Sequence, residues 1–295
     1  MAIRVGYPCI NLSLECRGTK TFRLRSYSKE RLRETVSNNL DCLAETIRWN
    51  IEHGIGFFRI SSDLVPFASH PVNSYPWYLV FARQFRRIGR LIRGSGMRIS
   101  MHPDQFVLLN ARDERIVRDS IRELAYHCRV LDRLGLDRSA KVQIHLGGVY
   151  GDKRASLERF VRVYHQLPVV VRRRLVIEND DRLYNVSDCL AVSAQTGIPV
   201  VFDSFHHEVN GDGSGLRRAF ERCAATWRPK DGVPMVDYSS QLAGARTGTH
   251  AHHINPVHFR RFLAALAGFD FDLMLEIKDK ERSVLVAQRL LGGEF

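Results

Sequence analysis

No apolar run in this 295-residue chain approaches the roughly 18 consecutive residues needed to cross a bilayer, so a transmembrane helix is excluded. No Ser/Gly-rich, Pro-rich or low-complexity stretch divides the chain, and a single domain over residues 1–295 is expected. Cysteine is scarce: there are 6, with no CxxC pair and no tight spacing. The opening MAIRVGYPC lacks the apolar segment of a secretion signal, so the cysteines are expected to be reduced and mostly buried. The expected location is the cytoplasm, close to the nucleoid in a prokaryote. Negative charge is also in short supply, with 32 Asp and Glu against 44 Lys and Arg, a net charge of +12. A basic surface attracts phosphates and favours a polyanionic partner, although many basic proteins have none.

What the chain does contain is an alternation. Eight short apolar or β-branched runs recur: IRVGYPC (3–9), GFFRIS (56–61), RISMH (98–102), VQIH (142–145), LVIE (175–178), PVVFD (199–203), PMVDY (234–238) and LMLE (273–276). Between them lie amphipathic stretches such as KERLRETVSNNLDCLAETIRWNIEHG and ERIVRDSIRELAYHCRVLDRLG, each closed by glycine. Strands apolar on both faces and separated by helices imply a parallel sheet. Eight βα units in a chain near the ~250-residue norm predict a (β/α)8 TIM barrel. An open dinucleotide-binding sheet would carry GxGxxG after an early strand, and the first turn reads YPCINLSLEC instead.

The functional signal lies at the strand ends. From the third run to the eighth, each reaches His102, His145, Glu178, Asp203, Asp237 or Glu276 at or beside its C-terminal end. With 32 acidic residues and 12 histidines in 295, chance gives such a series with a probability on the order of 10⁻³, even with slack at the boundaries. In a barrel these ends converge on one mouth, where active sites are built. Carboxylates and imidazoles crowded together repel one another, and divalent cations resolve that cost. A mixed nitrogen and oxygen donor set without a thiolate suits Zn²⁺, Mn²⁺, Fe²⁺ or Co²⁺. His206 in DSFHHE, with His250 and His252 in THAHH, brings the donors beyond the needs of one ion and points to two or three. Such ions generate hydroxide near neutral pH and offset the charge of a phosphate transition state; sugar isomerases use comparable ions on this fold.

The loops separate those chemistries. HLGGVYGDK (145–153) sets glycines and Lys153 beside His145, an expected anion cradle at a helix N-terminus. Arg59, with Ser61 and Ser62, ends the second run on the same rim, while Tyr7, Asn11, Gln105 and Phe106 fall just past the first and third. A basic rim with flat side chains suits an unstacked nucleic acid. Other residues have plainer readings. His53, His127, His165 and His258 sit in helical context as packing residues, and of His207 and His253 at least one faces solvent. Asp180 and Asp181 belong to outer hydrogen bonds or a solvated loop. FARQFRRIGRLIRG (81–94) is an outer helix with a solvated arginine face, and Arg172 to Arg174 lie at the wrong end of the barrel for chemistry.

Together VGYPCINLSL, FRISSDLVPFASHP, RISMHPDQFV, IHLGGVYGDK, LVIENDD, VVFDSFHH and LMLEIKDKE resemble the UV damage endonuclease family, from about Ile3 to about Glu281. That family is similar, more distantly, to endonuclease IV and to xylose-isomerase-like barrels. The resemblance implies a metal-dependent enzyme that nicks double-stranded DNA immediately 5′ of cyclobutane dimers and 6-4 photoproducts, leaving a 3′-hydroxyl and a 5′-phosphate. Some members also cut abasic sites. By position, His70, His102, His145, Glu178, Asp203, His206, His250 and Glu276 fall on the family's metal-binding residues, with Glu178 bridging two ions and His206 and His250 helping to hold a third. Tyr7 and Gln105 match residues that probe the lesion, with Asn11 close by, and Lys153 matches the GDK of the family motif. The chain departs from the pattern at three places: Asp237 replaces a histidine ligand, Met235 a lysine that is modified in relatives (Lys230 is too far along the chain to substitute), and Phe106 a tyrosine.

The expected function is therefore hydrolysis of one phosphodiester beside a UV lesion by metal-hydroxide attack. Glu178, His102, His145 and Lys153 form the catalytic set, and Asp237 joins the ligands. Tyr7, Asn11, Gln105, Phe106, Arg59 and Lys153 meet the DNA. Manganese is the expected ion, with Zn²⁺, Co²⁺ or Mg²⁺ as alternatives, and neither an organic cofactor nor a membrane is expected. A monomer is expected. The rivals are a sugar isomerase or epimerase on the same barrel and a lesion-binding protein whose metals are structural.

Overall fold

The computed structural model describes residues 3–292. Strands form where the apolar runs predict them, within a residue or two: β1 (Ile3–Pro8), β2 (Phe57–Ile60), β3 (Arg98–Met101), β4 (Lys141–His145), β5 (Leu175–Glu178), β6 (Val200–Asp203), β7 (Met235–Tyr238) and β8 (Phe271–Leu275). All neighbours pair in parallel in the order β1 to β8, and β1 returns to β8 from Ile3 against Phe271 to Gly6 against Met274. The sheet closes on itself as the expected (β/α)8 barrel.

A main helix follows every strand: Lys29–Glu52, Ala82–Ser95, Glu114–Arg133, Lys153–Gln166, Val186–Thr196, Leu216–Ala224, Pro256–Ala265 and Glu281–Gly292. Their starts are set by side chains that accept orphan N–H groups, Ser28 from Arg31, Asp113 from Arg115, and Asn185 with Asp188 in a reciprocal box. Gly54 and Gly135 take φ of 65° and 69° beyond the two helices expected to close on glycine. Helix Ala82–Ser95 buries Phe85, Ile88 and Ile92 and turns its arginines outward, as the sequence suggests.

The barrel interior is layered along its axis. At the N-terminal end, Asp272 pairs with Arg4 (2.6 Å) and Arg98 (2.9 Å), while Lys141 pairs with Asp231 (2.6 Å). Above them Phe57, Val176, Val201, Met235 and Met274 form a buried apolar cluster of their own. Met235 is therefore a packing residue, and its position contributes no polar group to the mouth. The polar mouth begins only past this plug. Gly6 has no alternative here, because a Cβ would lie 1.8 Å from the Phe57 carbonyl oxygen on the neighbouring strand.

One expectation fails. Cys16, on the loop after β1, is disulfide-bonded to Cys42 in helix Lys29–Glu52, with Cα atoms 5.6 Å apart. Fully buried Asn39 explains the encounter. One turn before Cys42, its side chain accepts from Lys20 N–H (3.0 Å) and donates to Lys20 C=O (2.9 Å), docking the loop on the helix. A separation of 26 residues gave no hint of this. The other four cysteines are free, as expected.

Two outcomes follow. Thiol titration of unfolded, unreduced protein should count only Cys9, Cys128, Cys189 and Cys223; two further thiols would rule out the bridge. Gly6→Ala should lose about 3 kcal/mol in urea unfolding, the upper range for overpacking. A loss below about 1 kcal/mol would mean that β2 can step aside.

Candidate metal centre

Two donor triads meet at the mouth. His102, His145 and Glu178 each place a ligand atom within 4.8 Å of the others, and so do Glu178, Asp203 and His206. Glu178 ends β5 and belongs to both. Its Oε1 lies 2.5 Å from His102 Nε2 and 3.2 Å from His145 Nε2, and its Oε2 accepts from Gln143 Nε2 at 2.6 Å.

The histidines are oriented from behind. His102 Nδ1 donates to the Pro103 carbonyl (2.7 Å), His206 Nδ1 to the Asn179 carbonyl (2.9 Å) and His250 Nδ1 to the Glu276 carbonyl (2.7 Å). A carbonyl only accepts, so Nδ1 carries a proton and, in the neutral ring, each Nε2 keeps its lone pair for another partner. That is how metal-ligating histidines are held. In neutral His102 the lone pair would face a carboxylate oxygen, a repulsive contact unless a proton or a cation lies between. The residues present therefore fit divalent cations. His102, His145, Glu178, Asp203 and His206 would hold them, and His250 stands beside them with its ring 6.0 Å from that of His206.

Buried charge dominates the electrostatics. Burial pushes the Asp203 carboxyl up to about 7 against the pull of His206. Burial alone would lower His206, but Asp203, Glu178 and Glu276 outweigh it and raise it to about 9. Burial also raises Glu178, yet His145 and His102 more than offset this and hold it well below the usual carboxylate range. Arg59, only 4% exposed, bonds both oxygens of Asp237 (2.9 and 2.8 Å) and pairs with Glu276. Burial opposes its charge, but Asp237, Glu276 and Glu178 prevail and push its pKa up. Even so, burial leaves Asp237 raised to about 7.

Several expected residues sit elsewhere. Asp237 is held by Arg59 and Gln143 and is in neither triad. Arg59 is an internal counter-ion, not a rim residue facing DNA. His70 is exposed, and its Nδ1 accepts from Val72 N–H (3.1 Å), the reverse of the oriented histidines. Tyr7 is fully buried; its hydroxyl donates to Asn50 (2.7 Å) and accepts from Asn11 (2.8 Å), which is itself buried. Neither reaches the surface, because β1 aims Tyr7 into the packing around Phe58. Lys153 pairs with Asp188 (2.5 Å) and lies over the Tyr184 ring rather than at a triad. The expected anion cradle is closed by Asp152, whose own carboxylate caps helix Lys153–Gln166.

Gln105 lies at the mouth. It is exposed on a cavity of about 520 Å³ that His102, His145, His206 and His250 also line, together with Val107, Leu108, Ile144 and Leu183. Phe106 beside it is 56% exposed. His253 faces solvent, whereas His207 is buried against the Ser214 carbonyl. Two residues of the site went unread in the sequence. Gln143 lies two positions before His145 on the same strand face, and the period of two could have found it. Asn179 bridges β5 to β6, donating to the Asp203 carbonyl (2.9 Å) and accepting from Asp203 N–H (3.0 Å); no local pattern signals that role.

The closed parallel barrel defines the class, the (β/α)8 barrels. Endonuclease IV from Thermus thermophilus shares the fold, with a TM-score of 0.56 at 21% identity over 85% of this chain and 94% of that one. Within the class, the model of the family described as UV-endonuclease UvdE matches residues 3–292, and the chain belongs to that family. It is a DNA-repair endonuclease. The UV DNA damage endonuclease of Clostridium perfringens (strain 13 / Type A) is 35% identical over 285 residues, 96% of this chain and 69% of that protein. Its counterpart in Bacillus cereus (strain Q1) is 32% identical over 295 residues, 97% and 93% of the two. The crystal structure of SacUVDE superimposes with a TM-score of 0.95 at 44% identity, covering 99% of both chains.

The pKa shifts set a pH dependence. The raised carboxyls of Asp203 and Asp237 stabilise the fold below their ordinary range, and that contribution is lost as pH rises through about 7. The raised His206 contributes below its ordinary value and loses this through about 9. His127 and His145, both lowered by burial, act in the opposite sense only below their ordinary range near 6.5. Metal-stripped protein should therefore lose Tm between pH 6.5 and 8, less steeply in Asp203→Asn, and Mn²⁺ should restore more at pH 8 than at 6.5. A Tm that rises over that window without metal would contradict the assignment.

Proposed function

We propose that the protein hydrolyses the phosphodiester immediately 5′ of UV photoproducts in double-stranded DNA, leaving a 3′-hydroxyl and a 5′-phosphate. Cyclobutane dimers and 6-4 photoproducts are the principal substrates, with abasic sites as a further one. The observation that carries the reading is Glu178, shared by two donor triads that open on one cavity. It supports a pair of divalent cations, with His250 and Glu276 beside a third position, and Mn²⁺ is the ion of choice. Divalent cations held there supply Lewis acidity to the phosphoryl oxygens and a nucleophilic water at neutral pH.

The chain's own residues do the rest. Glu178 fixes the spacing of the triads, and Gln143 fixes Glu178. Arg59 pairs with Asp237 and Glu276 and holds them apart from the triads. Gln105 and exposed Phe106 meet the duplex at the cavity rim, where an amide and a flat ring can stand in for an unstacked base. A damaged step costs less to unstack than intact duplex by a few kcal/mol, which gives selectivity without base-edge reading. Such an enzyme acts as a cytoplasmic monomer.

The test is a labelled duplex with one photoproduct, incubated with Mn²⁺-loaded protein and run on a denaturing gel. Wild type should give a single nick 5′ of the lesion that EDTA abolishes and Mn²⁺ restores. Glu178→Gln should lose at least about 10³-fold in rate, the scale of removing a group that acts on the transition state, with its melting profile retained. Tight binding without scission would leave a lesion-binding protein, and turnover of the variant with verified metal content would remove the bridging role.

A further inference from the structure

His250 stands between two cavities of different character. One is the 520 Å³ cavity with Gln105 and the apolar side chains Val107, Leu108, Ile144 and Leu183. The other, of about 340 Å³, is lined by Pro8, His250, Glu276, Ile277, Lys278 and Lys280. It has no aromatic ring other than His250, and two ammonium groups at its edge.

Those lysines are not engaged within the fold. Neither side chain makes an ion pair or hydrogen bond among the described residues, in contrast to Lys141 on Asp231 and Lys153 on Asp188. The acid between them, Asp279, is turned to other partners: it accepts from Ser283 and pairs with His253 at 2.9 Å. The turn is held firmly. Lys280 adopts a left-handed backbone with φ of 55°, its N–H on the Ile277 carbonyl (3.2 Å). The next residue, buried Glu281, accepts from Leu12 N–H and the Ser13 hydroxyl, both at 2.9 Å.

We infer that this groove is a second DNA subsite, in which Lys278 and Lys280 bind backbone phosphates of the strand 5′ of the cut. Bases need flat or apolar walls, which Val107, Leu108, Ile144 and Leu183 give the larger cavity beside its carboxylates Asp104, Asp180 and Asp181. Phosphates need fixed positive charge, which Lys278 and Lys280 bring to the smaller one, where Glu276 is paired with Arg59. Both cavities open on His250, so a strand crossing the triads enters one and leaves by the other. The inference rests on the proposed cut 5′ of the lesion: with the lesion in the larger cavity, the undamaged 5′ flank falls to the lysines. These are positioning residues that act through the backbone.

The experiment uses the full chain with Mn²⁺ and photoproduct duplexes carrying single methylphosphonates on either side of the cut. In wild type, a neutral linkage one or two phosphates 5′ of the cut should lower kcat/KM about 5- to 10-fold, mainly through KM. In Lys278→Gln/Lys280→Gln the same linkage should have little further effect, and the slope of log KM against log salt should be shallower by about 1 for each lysine. Equal sensitivity in the variant, or sensitivity lost instead on the 3′ side, overturns the subsite while leaving the nuclease reading intact. Wild type that cuts elsewhere than 5′ of the lesion removes the proposed function and the subsite with it. Melting temperature and metal content of the variant separate misfolding from lost contacts.

Discussion

Neutralising buried carboxylates is the constraint on which the mouth of this barrel depends. Glu178, Asp203 and Asp237 are each no more than 1% exposed, and Glu276 adjoins them. A group of negative charges so far from water costs several kcal/mol per ion unless it is compensated. The fold answers in two ways. Arg59 rises from β2 as a permanent counter-ion for Asp237 and Glu276. For Glu178 and Asp203 it offers only imidazoles and protons, which a divalent cation can displace. One half of the mouth is thus satisfied by the chain itself, and the other half is built to be satisfied by something bound.

This division accounts for the layering beneath. An ionic belt of Arg4, Arg98, Lys141, Asp231 and Asp272 closes the N-terminal end, and an apolar plug separates it from the mouth. The plug keeps water from reaching the triads from below, so their low dielectric is preserved and every charge in them counts for more. Gln143 and Asn179 then fix the acids by hydrogen bonds that carry no charge of their own. Gln143 joins Glu178 and Asp237 across β4, β5 and β7, and Asn179 ties β5 to β6.

Most of the fold was legible because its signals are local. Fully apolar runs, helix caps and closing glycines each depend on neighbours in sequence, and all eight strands appear where those signals place them. The triads were legible too, since a residue at a strand end has one destination in a closed parallel barrel. What escaped depends on direction and on distant partners. Arg59 and Tyr7 were placed at the right strands and assigned the wrong surroundings, because a residue count does not say whether a side chain points to the axis, the helix layer or solvent. Lys153 and the glycine loop around it were claimed by nearby acids, Asp188 and Asp152, which composition alone does not pair. The Cys16–Cys42 bridge required knowing that Asn39 docks a loop on a helix.

Glu281 joins the first loop of the chain to its last helix across 269 residues, next to the seam where β1 meets β8. During synthesis the first strand must therefore wait, unpaired on one edge, until β8 has emerged. An intermediate that has made β3 to β6 already holds the triad residues, yet its mouth is not sealed. Closure of the mouth is thereby deferred until β8 has docked on β1, and a fragment that stops before β8 carries the ligand residues without the barrel that gathers them.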